Sequence, residues 1–454
     1  MKKFHLKKAI LPVLLASVMV LTACGGSYTP EATAADDPAA GGAATADAPA
    51  PDTGERITLT IPYIGMCDDR FAAAEAAGEL DNYDNRYHIA LRAAIEADFP
   101  QFDVNFVDWG WAESLDQQQR SLIAAGDAPD LVAGEIFMPT YASEGILEPL
   151  PQDIVDLVNP SFLIFDPDGN AVAVAIKAAP FMLFYNRDIT EAAGFNSAPT
   201  TWEEWQANSN AITAAGNGEV WGGGVPSFPH AGGALRATPF FRQLGVDFFQ
   251  NGELMLNNPD VQRSLEFIRN MNANLPVGLG NGANEDPMWQ AFEQDQSIAY
   301  VINGPWQAGG ATRNGMNWGV APLPIPADGQ EGNCLVGVVY LGVPRAARHI
   351  EASFDIIRTA IREDIVRLWF GENMAPPLNS LLNDESIWGD NDLLRVVVES
   401  VKGGDLSGLA SFPTNDSEIW EIINRQVLAR TTMTNDPIEQ ITQDATAQIE
   451  NLLR

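Results

Sequence analysis

The sequence predicts an α/β fold, and three observations carry that prediction. Strand signals alternate with helix signals from residue 57 onward, the apolar runs 180–185 and 297–303 read as buried strands, and 454 residues are too many for one ordinary core. Two or three domains are therefore expected. Strands alternating with helices imply parallel sheets covered on both faces, with ligands in the crevice beyond the strand carboxyl ends.

Taken in order, ITLTIPYIG (57–65) is an alternating strand that ends at a Gly turn. Residues 68–85 are acidic and Ala-rich, an insertion or an extra helix. A helix over 86–98 precedes a strand from Asp103 to Val107, and a helix from Asp116 to Ala125 precedes a strand from Asp130 to Ala133. Asp166-Pro-Asp168-Gly169-Asn170 lacks the later ligands of a calcium loop and reads as a hairpin turn. Pro180 to Tyr185 is a strand, Asn186-Arg187-Asp188 a polar turn, and Gly194 stops the short helix that follows. Pro199-Thr200-Thr201 caps a further helix, with Glu203 and Glu204 at its positive end. The strand SIAYVIN breaks at Gly304-Pro305 and presents Trp306 from the break. Helices over 417–430 and 436–453 close the chain.

The N-terminus is a targeting segment: Lys2, Lys3, Lys7 and Lys8 precede an apolar run from Ala9 to Leu21, too short to span a membrane comfortably. Leu21-Thr22-Ala23-Cys24-Gly25 resembles the lipobox of bacterial lipoproteins, which implies cleavage after residue 23 and acylation of Cys24. Residues 24–55, rich in Ala, Gly, Pro, Thr and Asp, bury too little to offset their ordering entropy and read as a flexible tether. The expected location is outside the cytoplasm, lipid-anchored to the cell membrane.

Lys and Arg number 26 against 60 Asp and Glu, a net charge of −34. Without the four leader lysines it is −38, and only Lys177 and Lys402 remain as lysines. This excludes the basic footprint that nucleic-acid binding needs. Three histidines outside the leader and no paired Cys spacing leave a transition-metal enzyme without ligands, and no cofactor motif or Gly-x-Ser-x-Gly elbow occurs.

AAGDAPDLV (124–132), GILEPLP (145–151), FYNRD with PTTWEEW (184–205), INGPW (302–306), and WGVAPLP with VGVVYLGVP (318–344) resemble, in order and spacing, the extracellular solute-binding proteins of ABC importers. The relevant class includes the bacterial maltose-binding protein. The resemblance implies a two-lobed periplasmic-binding-protein fold, type II-like, each lobe a mainly parallel sheet flanked by helices. The first lobe would hold 56–177 and 337–374, and the second 178–336 and 375–454. Three hinge crossings are implied at Lys177–Phe181, Cys334–Val338 and Asn373–Pro377. Cys67 and Cys334 would lie near the first lobe's binding edge, as a disulfide or as two free thiols.

The implied function is capture of a small solute, a mono- or oligosaccharide first, by a monomer that delivers it to the importer's permease subunits. A secreted carbohydrate-active hydrolase and a binder of a non-sugar solute are the alternatives. No enzymatic role or cofactor is expected. The first lobe offers Met66, Asp68 and Asp69 after its first strand, and Glu135 and Phe137 after Ala133. The second offers Trp306, Asn303, Phe228 or His230, and Trp420. Indole faces stack on the C–H faces of sugar rings, while carboxylates and amides meet the hydroxyls. Ala179 falls where the maltose binder has a Glu, so that specificity is not expected here.

Overall fold

The computed structural model describes residues 56–62, 68–78, 83–110, 113–332, 335–336, 338–403, 409–410 and 412–454. The leader, the tether, Cys24, Met66, Cys67 and Cys334 lie outside them, as does the side chain of Asp69. Among the described residues the strands of the first half are β1 (Ile57–Pro62), β2 (Phe102–Val107), β3 (Val132–Gly134), β4 (Leu163–Phe165), β5 (Ala171–Ala175), β6 (Ala179–Pro180) and β7 (Met182–Asn186). The second half adds β8 (Trp221–Gly224), β9 (Phe249–Gln250), β10 (Glu253–Leu254), β11 (Ile298–Asn303), β12 (Trp318–Ala321), β13 (Leu335–Val336) and β14 (Tyr340–Gly342).

β1 and β2 pair in parallel, and a sheet of order β3-β14-β5-β4 continues them. The join is made by Asp130, whose N–H donates to the Thr60 carbonyl (3.2 Å) and whose carboxylate accepts the Thr60 N–H (2.9 Å). A second sheet has the order β12-β7-β11-β8. These sheets form the two lobes, and they are mixed instead of mainly parallel. Only β1–β2 and β8–β11 run parallel among the described pairs of the two lobes. The reason is local chain length: β4 reaches β5 through five residues, and a connection that short can only fold back. Asp166 closes this hairpin by accepting the N–H groups of Asp168 (3.0 Å) and Asn170 (2.8 Å), with Gly169 at φ +85°.

The run Phe181–Phe184 explains its own continuous apolarity. Phe181 and Leu183 enter one core with Trp202, Trp205, Phe240 and Phe267, while Met182 and Phe184 enter the other with Trp289 and Phe292. Alternate side chains point to opposite faces, and both faces are covered. The cap expected at Thr201 is a full capping box with Glu204. Residues 68–77 form a helix, and the helix expected over 86–98 spans Tyr83–Asp98. The helix expected over 417–430 differs in kind: α-helix Asp416–Ile422 passes into a π-helical stretch, Ile423–Ala429, and then into Arg430–Met433.

Three chain segments meet side by side. β6 pairs antiparallel with β13, and Ala178 exchanges both backbone hydrogen bonds with Ala375 (2.9 and 2.8 Å). Segments from each of the three stretches where crossings are expected are hydrogen-bonded here: β6 with β13, and Ala178 with Ala375.

Candidate functional site

A cleft of about 510 Å³ lies beyond the sheet ends, within the volume range of small-molecule pockets. One wall is built by the segment after β3. Gly134 ends that strand, and the Phe137 ring folds back over it so closely that a Cβ at Gly134 would collide with the ring. Ile136 and Phe137 are thereby turned into the cleft, joined by Asp116. Arg120 holds Asp116 (2.9 Å) and Glu144 (2.7 Å) while its guanidinium lies over the Tyr141 ring at 4.7 Å.

The opposite wall comes from the loop after β8 and from the C-terminal helices. His230 caps the helix Ala231–Arg242: its Nδ1 accepts the Gly232 N–H (3.1 Å), which leaves Nε2 as the donor to the Ala283 carbonyl (2.9 Å). Its ring stacks on the buried Phe228 (5.5 Å, 14°). Trp420 is clamped edge-to-face by Phe248 and Phe412, and its indole N–H donates to the Ala410 carbonyl (3.0 Å). Asp416, Trp420 and Asn424 recur every four residues and all line the cleft, as one helical face must. Burial raises the Asp416 carboxyl above its ordinary value; the Phe412 N–H and Arg120 pull it down, and Asp116 and Glu144 push it up.

Beside these walls lies a polar network around Arg236, a side chain 5% exposed. Arg236 ion-pairs with Glu285 and donates to the Gly232 carbonyl (3.0 Å) and the Asn303 side chain (3.3 Å). Glu285 in turn accepts from the Trp306 indole (3.0 Å) and from Gln307 (3.1 Å). Burial lowers the guanidinium to about 10, and Glu135, just after β3, opposes that shift.

The residues expected at the site therefore separate. Phe137, His230 and Trp420 line the cleft. Asn303 and Trp306 belong to the Arg236 network, with Phe228 under its guanidinium (5.4 Å) and Glu135 coupled to it by charge. Trp306 is partly buried: its ring lies against Gly304, where a Cβ would collide, and packs against both cores. Asp68 is placed elsewhere, ion-paired to Arg92 and accepting the Phe106 N–H (3.2 Å). Met66 and the side chain of Asp69 lie outside the described residues. Sequence reasoning missed Asp416 and Asn424, although counting four residues either way from Trp420 finds both. It also missed Arg236, for which no local signal exists.

The family model for bacterial extracellular solute-binding proteins matches residues 87–366, and the chain belongs to that family. A binding protein of Brucella abortus (strain 2308) is 25% identical over 265 residues, which cover 54% of this chain and 61% of that protein, less than two thirds of its length. The arabinooligosaccharide-binding protein of Bacillus subtilis (strain 168) is 21% identical over 335 residues, 69% of this chain and 76% of the relative. Among solved structures, maltose-bound T. maritima MalE3 superposes with a TM-score of 0.70 at 17% identity, over 87% of this chain and 100% of that one; this likeness concerns the fold.

Proposed function

We propose that this protein captures a mono- or oligosaccharide in the cleft between its lobes and hands it to the permease subunits of an ABC importer, working as a monomer tethered through an acylated Cys24. The observation that carries the reading is that Phe137, after β3, and Trp420, in the C-terminal helix Asp416–Ile422, line a single cleft edged by carboxylates. Aromatic faces give contact area with few rotors to freeze, and carboxylates accept the hydroxyl protons of a sugar. Relatives named for arabinooligosaccharide and galactooligosaccharide binding favour the same class of solute. We assign the lobes to 56–177 with 337–374 and to 178–336 with 375–454.

A thermal-shift panel of pentose and hexose oligosaccharides, polyols, amino acids and polyamines tests the assignment. Stabilisation by a sugar is expected. For that sugar, Trp420→Ala should weaken binding by about tenfold to a hundredfold, since one stacked aromatic is worth about 1–3 kcal/mol. A shift given only by non-sugars overturns the carbohydrate reading. The anchor is tested by Cys24→Ala, which should move the protein from the membrane fraction to the medium; unchanged membrane association rejects acylation at that residue.

A further inference from the structure

His230 lines the cleft, yet both of its ring nitrogens are already committed to the backbone. A backbone N–H can only donate and a carbonyl can only accept. The Gly232 N–H (3.1 Å) therefore requires an unprotonated Nδ1, and the Ala283 carbonyl (2.9 Å) requires a proton on Nε2. Together the two bonds specify one neutral tautomer. One face of the ring is stacked on Phe228, with 14° between the planes. What His230 offers the cleft is thus carbon: the opposite face and the C–H edge.

These two bonds belong to a closed circuit. Arg236 Nη1 donates to the Gly232 carbonyl (3.0 Å), one turn back along the helix that His230 caps, and Arg236 Nη2 is ion-paired with Glu285 Oε2. Glu285 lies two residues beyond Ala283, whose carbonyl accepts the His230 N–H. The path runs from His230 through Gly232, Arg236, Glu285 and Ala283 back to His230. Glu285 is also pinned from another side, because the Trp306 indole (3.0 Å) and the Gln307 amide (3.1 Å) both donate to its Oε1. The cleft lining includes His230 but neither Arg236 nor Glu285.

We infer that Arg236 and Glu285 are positioning residues: without touching the solute, they hold His230 in one orientation and one tautomer, so that the cleft keeps a preformed aromatic surface. The part that concerns a solute rests on the sugar reading above. The ion pair ties the loop carrying Ala283 to the helix start that forms the cleft wall. A ring fixed in advance loses no freedom when a sugar lies against it, and affinity gains by that amount.

The test reads the ring directly. Long-range 1H–15N correlation on the labelled full-length protein at pH 7.5 distinguishes protonated from unprotonated ring nitrogens. His230→Asn identifies the His230 signals by their loss, and Asn serves as well at an N-cap. The wild type should show a single neutral tautomer with the proton on Nε2; a mixed, charged or Nδ1-protonated ring overturns the inference with no further variant needed. Arg236→Met combined with Glu285→Gln removes the ion pair, orphans neither charge and keeps an acceptor for Trp306. With its fold confirmed by circular dichroism, this double variant should show averaged tautomers. Calorimetry with arabinotriose, galactobiose and maltotriose should then give about tenfold weaker binding of whichever sugar the wild type binds. Unchanged affinity in the folded double variant overturns the positioning role. If the wild type binds none of the three, the sugar reading falls and the ring alone decides: averaged tautomers in the double variant uphold the lock, and a single tautomer overturns it.

Discussion

His88 shows how much one buried side chain can set. It is fully buried, with its ring between Phe71 (5.7 Å) and Phe106 (4.6 Å), and burial lowers its pKa from 6.5 to about 4. The folded value lies below the unfolded one, so the proton favours the unfolded chain. The contribution of His88 is whole above pH 6.5 and is lost as the pH falls toward 4, amounting to about 2 kcal/mol at pH 5. His88→Phe should remove that part of the acid sensitivity. Urea unfolding at pH 7.5 and pH 5 measures it, and an unchanged difference between the two pH values in the variant refutes the assignment. At this same scale the sequence was legible unevenly. Trp420 could be found because its neighbours four residues away share its face. Arg236 could not, because its partners Glu285 and Asn303 are 49 and 67 residues distant and its helix, AGGALRATPFFR, looks merely apolar. For Trp306 the break at Gly304 was visible but the direction of the ring was not, since a residue with no Cβ lets the indole fold back as easily as it lets it stand out.

Elements were more legible than residues wherever their signal is local. The Thr201–Glu204 capping box and the Asp166–Asn170 hairpin are written in consecutive residues, and the fold reproduces them. The direction of β14 is not written locally, because it depends on the chain re-entering the first sheet between β3 and β5, more than 150 residues after it left β5. The π-helical stretch was likewise invisible, since its composition, INRQVLA, is ordinary for an α-helix. On the lobe boundaries proposed above, three short segments held by a few backbone hydrogen bonds would join the lobes, so rotation there would break neither sheet. If a solute touching both walls favours the closed arrangement, small-angle scattering should give a smaller radius of gyration with saturating sugar. Superimposable curves with and without a sugar that calorimetry shows to be bound would rule out closure.

The whole molecule carries −34 by sequence, and outside the leader its positive charge is almost entirely guanidinium. The two lysines outside the leader both lie over tryptophan rings, Lys177 on Trp369 (4.0 Å) and Lys402 on Trp388 (5.7 Å). Arginine instead makes the carboxylate pairs, including the two-point bonds of Arg263 to Asp328 and of Arg358 to Asp153. These pairs are largely exposed, and each contributes about 0–1 kcal/mol, less in salt. Opposing them is the mutual repulsion of the many carboxylates left over, a longer-range effect that destabilises the compact state and that salt also screens. Because the excess of acids over bases is larger than the number of pairs the bases can form, relief of repulsion should win. Raising NaCl from 50 mM to 1 M should therefore increase Tm by several degrees at pH 7.5, and glucose at equal osmolality should be compared with a non-binding polyol to separate ligand from solvent effects. A Tm that falls steadily with salt would mean that the arginine pairs, and not the surplus of acid, dominate the electrostatics of this fold.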